Sequence, residues 1–184
     1  MYSIFITDDL KWNENTEYIV KKANSRMELL RKVAFFTSSI DDKKAIYIQY
    51  IRSILEQSCV VWHSSFTQEN RDDLERIQKS AIRIIIGKHY LNYKDGLKKV
   101  GIDSLEDRRI TLCTKFAKNC LKNKKTETMF PLRKKIHTMD NRCEEKFKVN
   151  FAKTERMKKS SIPYMQNELN SEQKNNMKKL RKPG

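Results

Sequence analysis

Glycine is scarce in this chain: 184 residues contain four, at positions 87, 96, 101 and 184. A phosphate-cradling loop needs several glycines close together, so a P-loop cannot be built here. No G-x-S-x-G nucleophile elbow occurs, and His63, His89 and His137 stand in unrelated contexts. The cysteines are Cys59, Cys113, Cys120 and Cys143, with no C-x-x-C pair and no zinc-ligand spacing. Neither a metal nor another cofactor is expected. Four thiols without a signal peptide suggest a reducing, intracellular compartment, cytoplasmic or nuclear. The apolar run from Ile84 to Ile86 is far too short to span a bilayer, so no membrane partner is expected.

Acidic residues are also outnumbered. The chain carries 39 Lys+Arg against 23 Asp+Glu, a formal charge of +16. Residues 1–121 hold 21 basic and 16 acidic side chains, whereas residues 122–184 hold 18 and 7. Such a surplus attracts polyanions and releases them as salt rises. A well-solvated surface without a partner is the plainer reading of the same charge.

Apolar periodicity points to helices. Ile19, Ala23, Met27 and Leu30 recur at helical spacing behind a cap at Asn15 or Thr16. Ser39, with Asp42 three residues on, opens a second helix over 41–59, in which Lys43, Lys44 and Arg52 stay wet. A third begins near Thr67, buries Leu74, Ile77, Ala81, Ile84 and Ile85, and stops at Gly87. A short helix follows over 93–100. A longer one starts at Ser104 and carries Leu105, Leu112, Cys113, Phe116, Ala117 and Cys120. Beyond residue 123 the rhythm fades into a basic arm, with its last dozen residues disordered. The expected fold is therefore all-α, a bundle of about four to five helices with room for a short strand at 2–6. The expected domains are a helical pair at 1–64, a helical segment at 65–123 and the basic arm at 124–184.

Paired aspartates can hold polymerase metals, which makes Asp8 and Asp9 worth weighing. Such a motif sits at a hairpin turn between two apolar strands, and the residues after Asp9 do not alternate. They read as an exposed turn. Trp62 reads as a plug between helices rather than a base-stacking ring. The better contacts are basic. Arg71, Arg76, Lys79, Arg83 and Lys88 advance along one helix and its exit, Arg108, Arg109 and Lys115 mark a second, and Arg133, Lys134 and Lys135 form a third cluster. No sequence-reading motif accompanies them, so binding would follow backbone and shape.

Five segments in order carry a family resemblance. They are Leu10–Lys11–Trp12 with the helix up to Arg31; Leu55–Glu56 with Val61–Trp62; Leu74–Glu75–Arg76–Ile77–Gln78–Lys79 with Ala81, Arg83–Ile84–Ile85 and Gly87; Gly101–Ile102 with Ser104–Leu105, Arg108–Arg109 and Leu112; and Phe147, Ala152, Thr154, residues 160–164 and Leu169–Asn170. This pattern resembles the region C-terminal to the polymerase core in reverse transcriptases of non-LTR retrotransposons, the jockey and CR1-like group. Gln57 stands where that pattern has tyrosine. The resemblance implies a thumb and post-thumb region that helps grip template and primer. The parent would be an RNA-directed DNA polymerase whose Mg²⁺-holding palm lies upstream. No catalysis is then expected of this chain alone, and its expected partner is RNA or an RNA–DNA duplex. The rival readings are a retrotransposon relic without a biochemical role and a helical protein-interaction module.

Overall fold

Ile19, Ala23, Met27 and Leu30 are all buried along one side of α1 (Asn13–Phe36) in the computed structural model, which describes residues 4–8, 11–132, 146–149 and 152–180. The fold is all-α, and the described residues form one isolated bridge, Leu132 to Phe147, but no strand. Residues 4–6 therefore do not form the expected strand. With no strand beside them, they lie on α1 instead: the Phe5 amide donates to Asn15 Oδ1 at 3.3 Å, and the Phe5 ring meets Tyr18 at 4.9 Å. Asn15 and Thr16 do not cap α1 either. The helix begins at Asn13 with Trp12 at its N-cap, Asn15 is engaged by Phe5, and Thr16 Oγ1 donates to the Trp12 carbonyl at 2.8 Å.

The helix expected over 41–59 is divided. It runs as α2 (Ile40–Ile46), a π-helical stretch (Tyr47–Arg52) and α3 (Ser53–Leu55), then breaks before α4 (Cys59–Trp62). Ser39 caps it as expected, its Oγ accepting from the Asp42 amide at 3.2 Å. The break falls at Ser58, whose φ of 52° ends the right-handed spiral. Lys43 and Arg52 do not stay wet. Lys43 is buried, and Arg52 is folded against Glu56 with Nε 3.3 Å from Oε1.

The remaining helices are α5 (Gln68–Ile86), α6 (Tyr93–Val100), α7 (Leu105–Lys122), α8 (Glu155–Lys158) and α9 (Ser161–Leu180). Helical elements outnumber the four or five expected, because the second helix is divided and α8 and α9 occupy the expected arm. The chain separates into two compact units, Met1–Cys59 with Phe66–Ile110, and Val60–Ser65 with Thr111–Gly184. In the first, α1 packs on α5 and on the segment from α2 to α3, while α6 packs on α5. Its core includes Tyr47, Ile51, Leu55, Leu74, Ile82, Ile85 and Leu105.

In the second unit, Cys113, Ala117 and Cys120 on α7 join Phe130, Phe147, Met165 and Leu169 in one apolar cluster. The C-terminal stretch is thus not a disordered arm over its described length, since α9 reaches Leu180. Burying Met165 and Leu169 contributes about 1.5–3 kcal/mol each, enough to dock a helix of otherwise polar composition. Asn170, also buried, exchanges two hydrogen bonds with the Phe147 backbone, at 3.0 and 3.1 Å. Trp62 is fully buried, which fits a packing role. Beside it, Ser161 Oγ donates to the Val61 carbonyl at 2.6 Å, and the His63 ring meets Tyr164 edge-on at 5.7 Å.

Candidate nucleic-acid interface

The candidate face is built on α5, whose ends are fixed by local chemistry. Thr67 Oγ1 accepts from the Asn70 amide at 3.2 Å, and Glu69 complements the positive end of the helix dipole. At the other end Gly87 takes φ 63°, a left-handed value that an L side chain would strain. Leu74, Ile77, Gln78, Ala81, Ile82, Ile85 and Ile86 are buried, while Ile84 is half-buried. That leaves Arg76, Lys79 and Arg83 exposed at successive i+3 and i+4 steps, so they share one stripe. Lys88 is exposed in the turn that follows.

A glycine brings α6 against this stripe. A Cβ at Gly96 would stand 2.6 Å from Ile82 Cγ2 and 3.3 Å from Ile86 Cδ1, so only a bare backbone fits. This approach sets two tyrosines under two cations. Lys79 Nζ lies 5.4 Å from the Tyr93 ring centroid, and the Arg83 guanidinium 5.3 Å from that of Tyr90. Lys94, Lys98 and Lys99 on α6 are exposed as well. They are absent from the contacts expected from sequence, although Lys94 and Lys98 are four apart and fall on one helical face. Residues 76–102 thus hold seven basic side chains against one carboxylate, Asp95, which Lys99 engages at 2.9 Å. Arg76 has only a surface partner, Asp73 at 3.1 Å, with 73% of its own side chain exposed. Surface pairs of that kind are worth little and yield readily to another anion.

Other candidates are engaged inside the first unit. Arg71 Nη1 pairs with Glu106 Oε1 at 3.0 Å, and Arg108 Nε with Glu56 Oε1 at 3.2 Å. Arg109 is 0% exposed and leaves the set of surface contacts altogether. Its position explains why. Leu105, Arg109, Cys113 and Ala117 succeed one another every four residues, and all are buried on the inner side of α7. Burial lowers the basicity of the Arg109 guanidinium, while the nearby Glu75 and Glu106 carboxylates oppose that shift.

A polar network lies beneath the stripe. The Tyr47 hydroxyl donates to Gln78 Oε1, and Gln78 Nε2 donates to Tyr93 Oη and to the Asp103 carbonyl, both at 2.9 Å. The Tyr93 hydroxyl in turn donates to Glu75. Burial raises the pKa of Tyr47, and burial together with the Glu75 bond raises that of Tyr93. Both phenols therefore stay protonated and able to donate at neutral pH. Gln78 sits inside the helix face that apolar spacing assigns to the core, so its role is to hold α5, the π-helical stretch and α6 together.

Lys115 is exposed on the part of α7 that belongs to the second unit, one turn from Lys118, which pairs with Glu172 at 2.6 Å. Arg133, Lys134 and Lys135 lie outside the described residues. Among the described residues no cluster of His, Cys, Asp and Glu can hold a metal ion, and no helix is long and apolar enough to cross a membrane. No protein-family model, curated protein or solved structure matches the chain.

Proposed function

We propose that the protein is a non-catalytic, reverse-transcriptase-derived fragment that binds RNA or an RNA–DNA duplex through the phosphate backbone. The observation that supports it most is the outward face of α5 and α6, where Arg76, Lys79, Arg83, Lys88, Lys94 and Lys98 gather with little opposing charge. The segments resembling the region behind a polymerase core supply the identity of the polyanion. Contacts of this kind position a backbone but read no bases, so affinity should vary little with sequence. Filter binding of RNA over a salt series tests the reading. The logarithm of the affinity should fall linearly with the logarithm of salt concentration. Absence of binding at low salt, or binding indifferent to salt, would remove the proposal.

One observation favours a second reading, a helical interaction module. Phe35 and Phe36, at the end of α1, are 86% and 83% exposed and touch each other edge-on at 5.4 Å. Exposed apolar pairs of this kind mark protein contacts. Light scattering across a concentration series would show self-association that Phe35→Ser and Phe36→Ser reduce.

A further inference from the structure

The two aromatic-backed cations on α5 are not equivalent. Lys79 presents a compact ammonium to Tyr93, a point charge with no flat surface. Arg83 lies over Tyr90 at 5.3 Å, and its guanidinium is planar. Tyr90 is itself half-buried against α6: a Cβ on Gly96 would come within 3.4 Å of its Cε2. The ring is therefore packed on one side, and Arg83 stays exposed over it. A planar cation over the Tyr90 ring, with exposed Lys88 and Lys94 on either side of Tyr90 in the chain, combines the two elements that single-strand binders use, a stacking plane and flanking cations.

We propose that the Arg83–Tyr90 pair is a stacking platform for an unpaired base, so that the α5–α6 corner prefers single-stranded nucleic acid to duplex. The inference rests on the phosphate-binding reading above and narrows it. In a duplex the base faces are covered by their neighbours, so only phosphates would reach the corner. In a single strand a base can lie on the outer face of Arg83 while adjacent phosphates meet Lys88 and Lys94. Lys79, over Tyr93, adds charge without stacking.

The experiment is fluorescence anisotropy on the full chain with three probes: a short mixed-sequence RNA, the same RNA annealed to its complement, and inorganic polyphosphate as a competitor. Arg83→Lys keeps the charge and removes the plane. It should weaken single-strand binding about five- to tenfold more than it weakens duplex or polyphosphate binding, the lower end of what the stacking of one base contributes. Tyr90→Leu, which removes the ring that orients Arg83, should act in the same direction. Circular dichroism melts of both variants check that the fold persists. If Arg83→Lys weakens all three probes equally, or none, the platform is overturned and the phosphate-binding reading survives. If the unmodified chain binds none of the probes, the phosphate-binding reading fails as well.

Discussion

Asn170 and Phe147 are joined by a reciprocal pair of hydrogen bonds, the Phe147 amide donating to Asn170 Oδ1 and Asn170 Nδ2 donating to the Phe147 carbonyl. A side-chain amide here satisfies an extended backbone as a neighbouring strand would, 23 residues along the chain. Both residues are buried, so neither backbone group has water as a substitute. Replacing Asn170 with Ala should cost about 1–3 kcal/mol for each orphaned group. Urea denaturation would measure the loss. The thiols of Cys113 and Cys120, in the same cluster, should react faster with a thiol reagent in the variant.

The raised pKa of Tyr47 predicts instability in alkali. In the unfolded chain a tyrosine loses its proton near pH 10, whereas folded Tyr47 retains it to higher pH. Above about pH 10 the folded state binds more protons than the unfolded one, so stability falls as pH rises. The slope from Tyr47 grows through that window toward a limit of about 1.4 kcal/mol per pH unit. Tyr93 shifts in the same direction but is partly solvated and adds less. Urea midpoints measured from pH 8 to pH 11 should fall more steeply in the unmodified chain than in Tyr47→Phe.

Gly96→Ala should destabilise the first unit although alanine favours helices. The added methyl would meet Ile82 Cγ2 at 2.6 Å, an overlap that must be relieved by moving α6. Overpacking of this order costs about 1–3 kcal/mol, more than the roughly 1 kcal/mol that helix propensity returns. Thermal melting would show the net loss. The same displacement should weaken RNA binding, because α6 carries Lys94 and Lys98.

Charge removal should separate the basic face from basic residues elsewhere. Lys88→Gln with Lys98→Gln should flatten the salt dependence of single-stranded RNA binding by about 0.7 for each phosphate left without its cation. Lys118→Gln removes a cation that pairs with Glu172 on the second unit and should leave the slope unchanged. Equal effects from both changes would mean that net charge, rather than this face, governs binding.

How far the sequence alone discloses this arrangement differs from residue to residue. The caps at Ser39 and Thr67, the stop at Gly87 and the inward stripe of α5 follow from spacing and local chemistry, and the structure holds them there. Arg109 does not yield, because its charge argues for the surface while its position, four residues from both Leu105 and Cys113, argues for the core. Packing decides. The break at residues 56–58 is hidden for a related reason: Leu55, Cys59 and Trp62 have the spacing of one continuous helical face, and each is buried despite the interruption. In α9 the signal is sparse. Ile162, Met165 and Leu169 keep helical spacing for only two turns before a polar run to residue 176, and Pro163 resembles a breaker, although the first turn of a helix has no need of its amide.

The π-helical stretch at Tyr47–Arg52 adds a residue to the count an α-helix would need for the same rise. Such a turn is local slack, held in place by Tyr47 and Ile51 on its buried side while Gln49 and Tyr50 face outward. Shortening the chain by one outward residue would tighten this turn to ordinary α-geometry without rotating Ile54 and Leu55 out of the core. Length variation that would scramble any other buried helix can therefore be absorbed here.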